Sequence, residues 1–137
     1  MVDLPSSPLA EVDAIFEQMA LETGSRTFGL AGTSSREKFL QLIAHDVCRL
    51  NLGLAFKMHV MAAVKMHSVP YADVLAVIRF IAPYSGYPAA ADALGRLPAI
   101  AVELGLDTTA GRPRSATRST AAAPASPTRS PPRRTPG

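Results

Sequence analysis

Apolar residues recur along the first hundred residues at steps of three and four, which is the spacing that places them on one face of an α-helix. No run alternates between apolar and polar residues with a period of two, so the sequence offers little evidence for strands. The pattern predicts an all-α domain of about five to six helices.

Residues that begin and end helices divide this pattern into segments. Ser34 and Glu37 form a capping box, a specific signal for a helix start. Gly24 is expected to end the first helix, Pro83 to end or kink the fourth, and Pro98 to kink or cut the fifth. The predicted helices cover about residues 8–23, 34–50, 54–66, 70–82 and 88–104.

The third segment carries a histidine on its apolar face. His59 shares that face with several apolar residues: Ala55, Phe56, Ala62, Ala63 and Met66. A buried imidazole needs a hydrogen-bond partner, because an unpaired polar group in the core is costly. His59 is therefore either a satisfied core residue or a general acid/base in a cleft, and a polar group of the second helix, with Glu37 first, is its expected partner.

Composition divides the chain into a domain and a tail. Residues 1–106, the predicted helical domain, hold eight Lys and Arg against ten Asp and Glu, a net charge of −2. Residues 107–137 hold six Arg and one Asp and contain no Leu, Ile, Val, Phe, Tyr or Met. We expect this Arg/Pro/Ser/Ala-rich tail to be disordered, since it cannot bury enough surface to offset chain entropy. The excess of basic over acidic residues lies in the tail, so no nucleic-acid surface is expected on the domain.

Cysteine usage and hydropathy indicate a compartment. Cys48 is the single cysteine, which rules out a disulfide within one chain and favours a reducing cytoplasm. The N-terminus lacks the basic and apolar regions of a secretory signal. No apolar run approaches the roughly 18 residues that a membrane span needs.

His59, Ala63, Asp73, the turn Tyr84-Ser-Gly-Tyr-Pro88 and the following alanines, taken in order, resemble the carboxymuconolactone decarboxylase family, which includes the AhpD-like antioxidant proteins. The resemblance covers about residues 34–97. It implies an AhpD-like helical fold, a homo-oligomer (dimer, trimer or hexamer) and a pocket close to the histidine. It also implies a lyase or decarboxylase of aromatic catabolism that acts on a small carboxylated lactone or ring acid and needs no cofactor.

The resemblance suggests roles for individual residues. His59 would transfer the proton, with Glu37 as its partner. Arg36 or Arg49 would pair with a substrate carboxylate, an assignment made from charge alone. Tyr84 and Gly86 of the turn are taken as further substrate-binding residues.

Other interpretations remain open at this point. The AhpD branch uses a Cys-x-x-Cys pair four residues before the histidine, and Leu52 and Ala55 stand at those positions here. An antioxidant protein with peroxiredoxin activity would have to use Cys48, which is otherwise interpreted as a small core residue. Glu37, Gln41, His45 and Cys48 form either a polar pocket wall or a solvated helix face. A non-catalytic oligomeric binding module is the third alternative, and no metal site is predicted because no histidines stand at ligand spacing.

Overall fold

The computed structural model describes residues 7–110, which form five α-helices. These are α1 (Ala14–Phe28), α2 (Ser35–Cys48), α3 (Leu54–Met61), α4 (Tyr71–Ser85) and α5 (Tyr87–Leu104). A 3₁₀ turn, Pro8–Glu11, precedes α1, and a π-helical segment, Ala62–Met66, continues α3. No strand occurs within residues 7–110, which confirms the all-α prediction.

The core lies between α2, α4 and α5, and α3 closes one side of it. Each of these helices buries one apolar face. The largest fully buried apolar side chains are Phe39, Ile43, Val47, Phe56, Val60, Val69, Val74, Ile78 and Leu97. Four alanines of α5 (Ala89, Ala90, Ala93 and Ala101) are buried within this chain, so much of the apolar face predicted for that helix is covered by α4 and α2.

The start of α2 follows the sequence signal. The backbone N–H of Glu37 donates to Ser34 Oγ at 3.2 Å, and the backbone N–H of Ser34 donates to Glu37 Oε2 at 2.7 Å. The capping box is therefore complete, because each residue satisfies a backbone donor of the other.

The first helix departs from its predicted bounds at both ends. Ser7 caps the 3₁₀ turn only, and Asp13 then caps a new helix by accepting the Phe16 N–H at 2.9 Å. The helix also continues through Gly24, so the prediction that Gly24 ends it is wrong. Contacts to α2 extend the helix: the Phe28 ring lies 4.5 Å from the Phe39 ring. Tertiary packing here outweighs the roughly 1 kcal/mol that a mid-helix glycine costs.

The two prolines predicted to interrupt helices lie inside continuous ones. Pro83 is in the last turn of α4, which ends two residues later at Ser85, and Pro98 lies within α5. The turn between these helices is consequently shorter than expected. It consists of Gly86, whose positive φ of 91° is a conformation that glycine adopts without strain.

Two further predictions concern the tail that follows α5 and the lack of a membrane-spanning segment. Most of the tail predicted to be disordered, residues 111–137, lies outside the described residues. Within residues 107–110, Asp107 accepts the backbone N–H of Thr109 at 2.9 Å. None of the described helices is both long and apolar enough to cross a bilayer.

Candidate active site

A cleft of about 650 Å³ opens between α1, α2 and α3. Its volume lies in the range of small-molecule sites. Most of its wall is apolar, and a few polar side chains interrupt the wall: Ser7, Glu17, Thr27, Asn51 and His59. A mainly apolar cavity with few polar groups is typical of a ligand-binding or active site.

The His59 ring is held at the cleft by a buried carboxylate. Nδ1 of His59 lies 2.5 Å from Oδ2 of Asp46, which comes from the C-terminal half of α2. The Asp46 side chain is only 2% exposed, whereas 27% of the His59 side chain is accessible. Asp46 is thus a buried support, and His59 is the member of the pair that a ligand can reach.

The Asp46 contact fixes the tautomer of His59. An ionised carboxylate only accepts hydrogen bonds, so Nδ1 must carry the hydrogen that joins the two side chains. Nε2 then carries the lone pair, and no hydrogen bond to it occurs within residues 7–110. The neutral ring can therefore accept a proton at Nε2, and the adjacent carboxylate stabilises the imidazolium that results.

Asp46 is the site residue that the sequence reasoning missed. It lies three and seven residues after Ile43 and Phe39, which places a carboxylate on the buried face of α2. The sequence pattern of α2 suggests an apolar stripe through Leu40, Ile43, Ala44, Val47 and Leu50, and this centres the buried face slightly away from its true direction. A single acid at helical spacing from two buried apolar residues was the available signal.

A second buried acid lines the cleft from α1. Glu17 is 6% exposed, although it lies in a helix whose other side chains are mostly accessible. Its Oε1 accepts the backbone N–H of Ser7 at 2.6 Å, and its Oε2 accepts the Ser7 hydroxyl at 3.2 Å. The 3₁₀ turn is thereby tied to α1 beside the cleft.

Glu37 is not the partner of His59, so that part of the prediction is wrong. The partner does come from α2, as predicted. Glu37 lies nine residues before Asp46, which is about 13 Å along the helix axis. Its carboxylate is exposed and bonded to Ser34. Those hydrogen bonds, to the backbone N–H first and to the hydroxyl second, lower the pKa of Glu37 below its usual 4.5. Glu37 therefore caps the N-terminus of α2.

The two arginines assigned to a substrate carboxylate do not line the cleft. Arg36 Nη2 lies 2.7 Å from Asp73 Oδ2 and so ties α2 to α4. Arg49 is exposed at the C-terminal cap of α2. Their role in substrate binding stays a prediction, without support from the position of either side chain.

The remaining predicted residues also lie outside the cleft lining. Tyr84 is exposed and its ring neighbours that of Phe80, with 6.2 Å between the centroids. Gly86 forms the turn between α4 and α5. Cys48 is exposed, which differs from the core position favoured by its small size. It shares an accessible face of α2 with Gln41 and His45, so this stripe is not a wall of the His59 cleft.

Neither His45 nor His67 lines the cleft. The rings of His67 and Phe39 lie 4.8 Å apart, and His45 Nδ1 lies 4.0 Å from Asp46 Oδ1. Among residues 7–110, no three His, Cys, Asp or Glu side chains are arranged to hold a metal ion.

Comparisons of the chain with protein-family models, with curated proteins and with solved structures give no match. The function of this protein is therefore inferred from the geometry of the cleft and of the Asp46–His59 pair.

Proposed function

We propose that this protein is a proton-transfer enzyme whose substrate binds in the cleft and whose general acid/base is His59. The observation that carries the proposal is the contact between Nδ1 of His59 and the buried carboxylate of Asp46. This contact leaves Nε2 as the nitrogen that can take up a proton, in a residue that lines a mainly apolar cavity. Asp46 is a positioning residue, since it acts on the substrate only through His59.

Two reactions suit this arrangement. In a proton shift, Nε2 takes a proton from a carbon next to a carbonyl, the electron pair enters the carbonyl as an enolate, and the proton returns to another carbon. In a decarboxylation, the bond to the carboxyl carbon breaks, CO₂ leaves, and Nε2–H protonates the remaining dienolate. His59 must then regain a proton from solvent.

The family resemblance favours the second reaction on a carboxylated lactone. On that ground an AhpD-like fold in a homo-oligomer is proposed, and a carboxymuconolactone decarboxylase-like activity stands as the alternative to a proton shift on an uncharged compound. Support comes from the all-helical fold and from the position of His59 in a cleft. The exposed apolar side chains Ile15, Phe16 and Met19 on α1, with Val12 just before the helix, form a surface that an oligomer would cover.

The experiment follows turnover of two substrates in D₂O. One is γ-carboxymuconolactone, assayed by CO₂ release, and the other is the uncharged α-angelica lactone, assayed by isomerisation and deuterium incorporation. We expect wild-type protein to turn over one of them and His59→Gln to lose that activity. His45→Gln is the matched control, because His45 is exposed on α2, does not line the cleft, and lies 4.0 Å from Asp46, beyond hydrogen-bond distance. Turnover that survives in His59→Gln, or equal loss in both variants, would contradict the proposal.

The cleft also favours a second candidate, a binding module without catalysis. A preformed apolar cavity of this size can hold a ligand whatever the chemistry of His59. Ligand binding that is unchanged in His59→Gln, with no turnover of any bound compound by wild-type protein, would support this candidate.

A further inference from the structure

The charges around the cleft restrict the ligand that it can accept. Among residues 7–110, those that line it include no Lys or Arg. The carboxylates of Glu17, in the lining, and of Asp46, behind His59, are both buried. An anion in this cavity would lose its hydration without meeting a fixed positive charge, and it would lie near two carboxylates. The imidazolium of His59, when it forms, is already paired with Asp46.

Glu17 has capacity to bind a ligand directly. An ionised carboxylate offers about four acceptor positions, and Ser7 occupies two of those on Glu17. The remaining positions can accept hydrogen bonds from a hydroxyl or amine. A buried acceptor in a mainly apolar wall fixes ligand orientation, because a ligand without a donor leaves the acceptor unpaired.

We propose that the cleft binds a mainly apolar ring compound that carries a hydrogen-bond donor and no negative charge, and that Glu17 is the residue that selects it. This inference rests on the proposed function, since it takes the cleft as the substrate site. Of the two reactions suited to His59, it assigns the proton shift on an uncharged ring compound in preference to the loss of a carboxylate.

Three probes with one skeleton and different charges test the inference: 2-naphthalenemethanol, 2-naphthylmethylamine and 2-naphthoate. Titration calorimetry on the full chain gives a Kd for each and does not depend on turnover. We expect the alcohol and the amine to bind at least roughly tenfold more tightly than the carboxylate. In Glu17→Gln, which keeps the size of the side chain and an acceptor for Ser7, the advantage of the amine over the carboxylate should fall below roughly threefold.

Glu22→Gln is the matched control. Glu22 lies on the exposed side of α1, is bonded to Gln18 and does not line the cleft. It removes the same charge from the same helix and should leave all three Kd values unchanged. The inference is overturned if the carboxylate binds as tightly as the alcohol, if Glu17→Gln leaves the order unchanged, or if none of the probes binds.

The two proposals fail separately. Repeating the titrations with His59→Gln should preserve the order of the three probes, since selection is assigned to Glu17. If the three probes bind in the expected order but no lactone is turned over, only the catalytic proposal is contradicted. Turnover of γ-carboxymuconolactone, together with tight binding of 2-naphthoate, would contradict only the inference about ligand charge.

Discussion

Asp46 and His59 are thirteen residues apart in the sequence, yet Oδ2 of one lies 2.5 Å from Nδ1 of the other. The sharp break between α2 and α3 brings them together: the Asp46 carbonyl accepts the Asn51 N–H at 2.8 Å, and Leu50 has a positive φ of 55°. The contact places a buried acid behind a histidine that lines a cavity. It orients the ring and stabilises its protonated form.

Asp46→Asn should keep the fold but reduce turnover by roughly 100-fold or more, because the amide is neutral and no longer stabilises the imidazolium. The measurement is kcat on whichever lactone wild-type protein turns over, with circular dichroism to verify folding. Asp92→Asn is the control, since Asp92 is exposed on α5 and paired with Arg96. Equal kcat in wild type and Asp46→Asn would exclude a role for the carboxylate in catalysis.

Arg36→Ala should leave both ligand binding and turnover unchanged. The arginine is bonded to Asp73 and does not line the cleft, so its loss removes only a partly exposed ion pair between α2 and α4. A pair of this kind contributes about 1 kcal/mol or less to the free energy of unfolding. Denaturant titration measures the change in the free energy of unfolding, and titration calorimetry measures ligand binding. A tenfold rise in Kd for 2-naphthoate in Arg36→Ala would instead restore the carboxylate-binding assignment.

The capping box predicts a pH dependence of stability. The folded-state pKa of Glu37 is lower than its usual 4.5, so between these two values the unfolded chain binds more protons. The stabilisation is thus present above about pH 4.5 and is lost as the pH falls through the folded-state pKa. Glu37→Gln, which keeps a capping side chain without the charge, should be less stable than wild type at neutral pH. Urea titrations across the acid range should show the difference vanishing, and a constant difference would refute the link.

The exposed stripe on α1 predicts self-association. Ile15 and Met19 are one helical turn apart and both accessible, and we expect the stripe to be covered in a dimer or larger assembly. Changing both residues to Lys should reduce the mass measured by light scattering at micromolar concentration. Val102→Lys, on an equally exposed position of α5, should not. A wild-type protein that runs as a monomer would contradict the prediction.

The sequence predicted the parts of the fold that depend on local signals. Helical spacing and the capping box located α2 closely, because cap residues act within four positions of one another. The prediction that α1 ends at Gly24 failed because contacts from Phe28 to α2 extend the helix. Such contacts cannot be recognised from the glycine and its neighbours in the sequence.

The site was predicted only in part for the same reason. His59 and the helix of its partner followed from periodicity, but the choice of Asp46 over Glu37 depended on the rotation of α2 about its axis. Glu17 enters the cleft because Ser7 and α1 come together in the folded chain. Asp46 had only its spacing from Phe39 and Ile43 to distinguish it from the other acids on α2, and Glu17 had no such signal on α1.

The most direct test of the acid/base assignment is ¹⁵N NMR of the His59 imidazole. Long-range proton–nitrogen correlations distinguish the two ring nitrogens, and Asp46→Asn assigns the signals that depend on the carboxylate. In the neutral ring we expect Nδ1 to carry the hydrogen and Nε2 to be unprotonated, with the Nε2 resonance shifting when 2-naphthalenemethanol fills the cleft. A neutral ring protonated at Nε2, or an Nε2 resonance unmoved by a ligand bound in the cleft, would contradict the claim that His59 is the general base.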